Sequence, residues 1–154
     1  MNKRIKYVCL LVLLCFFIVG CNTKTIENNN QLINDKNDVI KKVDSLKIVI
    51  DNKEYSINLE NNDTVKEFIN MLPLNVTMNE LNGNKKYVYL DKKLSSNPSN
   101  PKYINKGDVM LYGDNCLVIF YKSFNTSYNY TKIGHIDNLN DLEKEDIIVT
   151  ISIA

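Results

Sequence analysis

The segment 107–121, GDVMLYGDNCLVIFY, constrains the fold of this chain more than any other part of its sequence. Residues 113–115 have the composition of a turn, because glycine, aspartate and asparagine all accept tight backbone geometry. The run 116–121 that follows is apolar throughout and has the length of a strand. Continuous apolarity indicates that both faces of this strand are buried. The segment therefore predicts a β-hairpin at the centre of the hydrophobic core.

Several shorter strands, separated by turn residues, surround this hairpin along the chain. A first hairpin is predicted over 46–59, with Asp51 and Asn52 as its two-residue turn. Further strands are predicted over 76–81, 87–90, 133–136 and 147–153. Strands of this number and spacing favour a mainly β fold, either a barrel or a sandwich.

One helix interrupts the strands, and apolar residues recur at helical spacing within 64–72 before Pro73 ends it. Thr64 and Glu67 have the spacing of a capping box, with the two residues before Thr64 as rival caps. A short helical turn is also predicted over 139–142. These elements place one folded domain over 45–154.

Three motifs, in this order, resemble the small bacterial cyclophilin-like domain family: GDVMLYG at 107–113, LVIFY at 117–121 and YTKIGHI at 130–136. The resemblance covers nearly all of 45–154. It implies a closed antiparallel cyclophilin-like β-barrel with one or two short capping helices. Closure also suits an Ile- and Val-rich chain, because it removes exposed strand edges.

The resemblance also implies a groove on the barrel that holds an extended peptide segment or a small apolar ligand. Ile119 and Phe120 match the position of the family's groove phenylalanine, and Tyr130 matches that of the groove histidine relative to Gly134. The candidate ligand-binding residues are Tyr112, Ile119, Phe120, Phe124, Tyr128 and Tyr130. An alternative interpretation makes Tyr112 and Phe120 plain core residues.

Prolyl isomerisation by a true cyclophilin depends on an arginine near the prolyl nitrogen, which weakens amide resonance. The only arginine of this chain is Arg4. The cations nearest the motifs are Lys85, Lys86 and Lys132, and a lysine does not replace the planar guanidinium fork. No catalytic residue is therefore assigned, and a binding module without efficient catalysis is the leading hypothesis. The alternatives are a weak peptidyl-prolyl isomerase acting on exported proteins and an accessory domain that docks to a membrane protein.

The N-terminal residues have the pattern of a lipoprotein signal peptide. A basic start precedes the apolar run 7–19, which is shorter than the roughly 20 residues of a membrane-spanning helix. Residues 18–21, IVGC, resemble the bacterial lipobox, in which the cysteine accepts a diacylglycerol. The sequence thus predicts a signal peptide over 1–20, lipidation of Cys21, and an Asn-rich flexible tether over 21–44. The domain would then be lipid-anchored at the extracytoplasmic face of the cell membrane.

Composition excludes several classes of function. If the signal is removed and Cys21 is lipidated, Cys116 is left without a disulfide partner in its own chain. Cys116 and His135 together cannot supply the ligands of a usual zinc site, so no metal is predicted. The five glycines are scattered singly, without a phosphate-binding loop, and no cofactor is predicted. Lysines are interspersed with carboxylates, which argues against nucleic acid as a partner.

Overall fold

Eight antiparallel strands close into a barrel in the computed structural model of this chain, which describes residues 43–142 and 145–154. The strands are β1 (Ser45–Ile50), β2 (Lys53–Leu59), β3 (Leu74–Leu81), β4 (Lys85–Tyr89), β5 (Tyr103–Ile104), β6 (Asp108–Tyr112), β7 (Cys116–Phe120), β8 (Phe124–Asn125), β9 (Thr131–Ile136) and β10 (Ile147–Ile153). Around the barrel their order is β1-β10-β3-β4-β7-β6-β9-β2, while β5 and β8 form a separate two-stranded sheet. The predicted mainly β fold with a closed antiparallel barrel is confirmed.

The predicted signal peptide, the lipidated Cys21 and the tether as far as residue 42 lie outside the described residues. Within the described part, β3, β4 and β9 each begin two residues before their predicted starts. The short strands β5 and β8 were not predicted, because each is only two residues long and lies in a polar segment.

The central hairpin consists of β6 and β7, which pair with Met110 opposite Val118 and Leu111 opposite Leu117. Every residue of β7 is buried, as its continuous apolarity predicts. Leu117 belongs to the cluster that fills the barrel, whereas Val118 belongs to a second cluster on the outer face. The outer cluster explains why the run 116–121 is apolar throughout, since the side chains on both faces of β7 are buried away from water. It contains Ile104, Met110, Cys116, Val118, Phe120 and Tyr130.

One helix occurs among the described residues, α1 (Asp63–Ile69). Its N-cap is Asn62, whose side chain accepts a hydrogen bond of 2.9 Å from the Val65 amide. One of the two rival caps, Asn62, is thus confirmed, whereas the capping box is not formed, because Glu67 instead accepts hydrogen bonds from the amide and hydroxyl of Ser95, at 2.7 and 2.6 Å. The helical turn predicted over 139–142 is wrong too: these residues form no helix, and Leu139 is buried in the barrel core.

A buried polar cluster joins three strands inside the barrel. Lys86 is fully buried, and its ammonium lies 2.9 Å from the Glu80 carboxylate. The same Glu80 oxygen accepts a 2.8 Å hydrogen bond from the Tyr121 hydroxyl, and the other accepts one of 2.6 Å from the Gly83 amide. Lys86 also donates to the Glu145 carbonyl. The cluster connects the β3–β4 hairpin to the end of β7. Because side chains alternate along β4, the inward direction of Lys86 means that its neighbour Lys85 points outward.

These contacts shift the pKa of two groups. Burial, together with the neighbouring Glu80 carboxylate, raises the pKa of Tyr121 to about 12. Burial alone would raise the pKa of Glu80, but hydrogen bonds from Lys86, Tyr121 and the Gly83 amide outweigh it and lower that pKa. The cluster therefore holds an ionised carboxylate next to a neutral phenol at neutral pH.

Candidate functional site

A groove of about 280 Å³ lies on the outer face of the sheet formed by β4, β7 and β6. Strand register places its floor and walls side by side: Tyr87 is opposite Val118, and Cys116 lies between Tyr89 on one side and Tyr112 on the other. Because side chains alternate along a strand, these residues all face outward while their neighbours fill the barrel. We call this site the tyrosine groove. Its lining residues are Leu81, Asn82, Lys85, Tyr87, Tyr89, Tyr112, Cys116, Val118, Tyr128 and Tyr130.

The far wall of the tyrosine groove comes from the segment between β8 and β9. Tyr130 is held by a bridge to Ser99, with backbone hydrogen bonds of 2.9 and 3.0 Å in the two directions. The ring of Tyr112 contacts both wall residues, at centroid distances of 6.2 Å to Tyr128 and 5.6 Å to Tyr130. These edge-on and tilted contacts are the favourable geometries for aromatic pairs. The three rings therefore support one another in a fixed arrangement.

The predicted ligand-binding residues divide into three groups. Tyr112, Tyr128 and Tyr130 line the groove. Phe120 and Phe124 pack behind it: Phe120 is fully buried, with its ring 5.4 Å from Tyr130 and 5.7 Å from Phe124. Phe120 thus supports the ring of Tyr130 from behind, and the half-buried Phe124 packs against Phe120.

Ile119 does not line the groove, so its prediction as a groove residue is wrong. It is fully buried in the cluster inside the barrel. Since Phe120 faces outward, the alternation of side chains along β7 requires Ile119 to face inward. Ile119 and Phe120 both match one groove position in sequence, but adjacent strand residues face opposite sides of the sheet, so at most one of them can lie on the groove side.

Sequence reasoning missed the part of the groove contributed by the β3–β4 hairpin and by β7. The missed lining residues are Leu81, Asn82, Lys85, Tyr87, Tyr89, Cys116 and Val118. A signal for two of them was present, because the tyrosines of the strand KKYVY lie two positions apart and must share a face. Which strand lies beside β7 is decided by the barrel closure, and local sequence does not carry that information.

Three of the five tyrosines of the groove are unusually exposed for large aromatic side chains. Tyr89, Tyr112 and Tyr128 are 65%, 46% and 61% exposed, although they are neighbours in one patch. Clustered exposed aromatics of this kind mark interaction surfaces in soluble domains. The thiol of Cys116 on the floor has its pKa raised by burial, so it stays protonated and is a poor nucleophile at neutral pH.

Lys85 is the only charged residue that lines the groove within the described part of the chain. Its ammonium donates to the side-chain oxygen of Asn84 at 3.1 Å and lies 5.8 Å from the ring centroid of Phe124. Burial lowers the pKa of Lys85, and Glu80 opposes this shift only in part. The other two lysines considered near the motifs lie elsewhere: Lys86 is inside the barrel, and Lys132 pairs with Glu60 at 3.1 Å.

The single histidine belongs to a separate structural contact. His135 Nδ1 lies 3.0 Å from the Asp108 carboxylate, whose other oxygen accepts a 2.8 Å hydrogen bond from the Asn105 amide. Asp108 is buried and thus closes the turn before β6, the role that its position after Gly107 indicates. Neither residue lines the tyrosine groove.

The described residues contain neither a candidate metal site nor a helix that could span a membrane. Across 43–142 and 145–154, no group of three or more His, Cys, Asp or Glu side chains is placed to hold a metal ion. In the same residues, no helix has the length and apolar character needed to cross a bilayer.

Comparison with known proteins matches the barrel to one family. The family model described as the cyclophilin-like family matches residues 48–152. The solution structure of a hypothetical protein from Archaeoglobus fulgidus is similar, with a TM-score of 0.50 and 21% sequence identity over 71% of this chain and 94% of that one. At this identity the likeness concerns the fold alone. No curated protein shows a significant match to the chain.

Proposed function

The chain belongs to the cyclophilin-like family, and we propose that it is a membrane-tethered binding module whose tyrosine groove holds an extended peptide segment. One observation carries the proposal: five of the nine tyrosines of the chain line a single groove on the outer face of the barrel. Tyrosine offers a large rigid contact area together with a hydroxyl that gives direction to hydrogen bonds. A peptide supplies both apolar side chains and backbone partners for such a surface.

The size of the groove favours a peptide segment over an enclosed small ligand. Its volume of about 280 Å³ is at the lower limit of sites for drug-sized molecules, which are roughly 300–1,000 Å³. The exposed rings of Tyr89 and Tyr128 leave the site open to solvent, so a chain can pass across it. An extended segment can place two or three side chains between the rings and continue beyond them.

The chemistry of the groove argues against efficient prolyl isomerisation. No arginine is available to hydrogen-bond the prolyl nitrogen, since the only one in the sequence is Arg4. Lys85 is a point charge on a flexible stem, and Lys86 is committed to Glu80 inside the barrel. Binding without acceleration of the cis–trans exchange is therefore the expected behaviour.

The location of the module follows from the N-terminal pattern. A diacylglycerol on Cys21 would hold the domain at the outer face of the cell membrane, with the Asn-rich segment after it as a tether. Exported chains emerge unfolded at that face and expose extended apolar segments. A peptide-binding groove at this place would meet its ligands as they leave the membrane.

The test is an NMR titration of the full ¹⁵N-labelled chain in a non-ionic detergent with acetylated and amidated hexapeptides built on an Ala-Pro-Phe centre. Shift changes are expected at Tyr112, Cys116 and Tyr130, and they should weaken strongly in Tyr128→Ala. Tyr103→Ala is the matched control, because Tyr103 is 48% exposed but does not line the groove. Shift changes confined to other surfaces, or equal losses in both variants, would refute the proposal.

The same samples separate binding from catalysis. Exchange spectroscopy on the Ala-Pro bond of the bound peptide, with a cyclophilin as positive control, should show no acceleration over the free peptide. Acceleration that disappears in Tyr130→Ala would instead establish an isomerase that works without an arginine.

A further inference from the structure

We propose that the peptide held in the tyrosine groove carries an acidic side chain that pairs with Lys85. This inference rests on the proposed function of the groove and names the chemical class of its ligand. It concerns the end of the groove next to the β3–β4 hairpin, where Leu81, Asn82 and Lys85 form the lining.

The fold places Lys85 in the groove through the neighbouring buried cluster. Lys86 points into the barrel and pairs with Glu80, so alternation along β4 turns Lys85 outward. Lys85 stands opposite Leu81 on one side and opposite Phe120 on the other, at the end of the same outward row as Tyr87. Backbone register thus fixes the face of the sheet from which the Lys85 side chain leaves, and on that face Lys85 lines the groove.

The charge of Lys85 has no carboxylate partner within 4.0 Å among the residues that the structure describes. Among the same residues Lys53, Lys92, Lys102 and Lys122 have none either, but all four are exposed, whereas Lys85 is half-buried at the groove. Glu80, the carboxylate whose charge acts on Lys85, is already in contact with Lys86, Tyr121 and the Gly83 amide. An ammonium has three hydrogens to donate, and the contact with Asn84 uses one of them.

Partial burial makes this charge responsive to a ligand. Partial removal of the Lys85 ammonium from water costs free energy, and this cost lowers its pKa. The charge of Glu80 offsets the cost only in part. A carboxylate brought to the groove would offset that cost. The described lining contains no Asp or Glu, so the only charge that a ligand meets on the groove walls themselves is the positive charge of Lys85.

The geometry at the hairpin favours an acidic side chain over the carboxylate of a chain terminus. Capture of a terminal carboxylate commonly uses several backbone amides arranged around it. Here the Gly83 amide donates to Glu80 at 2.6 Å, and the Asn84 amide is directed to the Leu81 carbonyl at 3.4 Å. Since both amides already have partners within the hairpin, Lys85 is left to bind the anion as a single charge on the groove side.

The experiment compares peptides that differ by one group. Acetylated and amidated hexapeptides with an Ala-Pro-Phe centre carry Glu, Gln or Lys at each flanking position in turn, and one further Gln peptide keeps a free C-terminal carboxylate. Dissociation constants are measured by fluorescence anisotropy on the full chain in non-ionic detergent, at low and high salt. At one flanking position, the Glu peptide is expected to bind about five- to tenfold more tightly than the Gln peptide, as for a partly desolvated ion pair.

Two variants assign the effect to Lys85. In Lys85→Met the Glu peptide should lose its advantage over Gln, while the Gln peptide binds about as before. Lys53→Met is the matched control, because Lys53 is exposed, starts β2 and does not line the groove, yet its loss changes the net charge equally. It should retain the preference for Glu.

The outcomes separate this inference from the proposed function. Equal binding of Glu and Gln peptides, or a Glu preference that persists in Lys85→Met, overturns the role of Lys85 and leaves peptide binding in place. A gain given only by the free C-terminal carboxylate overturns the acidic side chain as ligand. No binding by any peptide overturns both proposals.

Discussion

The hydrogen bond between Tyr121 and Glu80 is expected to stabilise the barrel measurably, and Tyr121→Phe isolates it. The ring of Tyr121 is only 1% exposed, so phenylalanine keeps the packing and leaves no cavity. What is lost is a 2.8 Å hydrogen bond to a carboxylate. Bonds to charged groups contribute about 1.5–3 kcal/mol. Since Glu80 keeps Lys86 and the Gly83 amide as partners, we expect a loss near the lower limit, about 1.5 kcal/mol.

The pH dependence of this loss follows from the two pKa shifts. The pKa of Glu80 is lowered on folding, so its contribution is present above the unfolded value of 4.5 and is lost as the pH falls through the folded value. The pKa of Tyr121 is raised, so its contribution is full below pH 10 and is lost as the pH rises toward about 12. The difference between wild type and Tyr121→Phe should therefore narrow in acid and again above pH 10.

The assay is urea unfolding of the full chain in non-ionic detergent, followed by far-UV circular dichroism between pH 3 and 11. Tyr89→Phe serves as the control, because Tyr89 is 65% exposed and its loss of a hydroxyl should leave the free energy of unfolding unchanged. A Tyr121→Phe variant within about 0.5 kcal/mol of wild type at pH 7 would refute the reasoning, since that is below the range for a hydrogen bond to a charged group.

Three further predictions address packing, the groove floor and the anchor. Gly134→Ala should lower the free energy of unfolding by at least about 2 kcal/mol, because the new Cβ would lie 2.3 Å from the Asn58 carbonyl oxygen; an unchanged urea midpoint would contradict this. Cys116 should react with iodoacetamide at pH 7 far more slowly in the folded chain than in urea, because burial raises its pKa; peptide mass spectrometry measures this, and equal rates would count against it. Cys21→Ser should abolish a diacylglycerol adduct at the N-terminus and release the domain from the membrane fraction of a bacterial host; retention without any lipid mass would exclude this anchor.

Local sequence predicted the structure correctly where the structure depends on one strand or one turn alone. The run 116–121 is apolar on both faces, and the structure buries it between the barrel core and the outer cluster. The helix ends at Ile69, three residues before the end at Leu72 that the apolar spacing predicts, so it stops before Pro73 could end it. The capping box failed because Ser95, 28 residues away, competes for Glu67 through hydrogen bonds that no local pattern contains.

The sequence alone determined the mainly β class, the central hairpin and the aromatic residues available for a groove, because periodicity and turn chemistry are local properties. Only the tertiary structure decided which of those residues meet. Barrel closure places β4 beside β7, so Tyr87 and Lys85 join Tyr112 and Tyr130, while one step along β7 moves Ile119 to the interior. Register across strands depends on contacts between residues far apart in the chain. That register decides whether a single charged residue such as Lys85 lies at the groove or elsewhere on the surface.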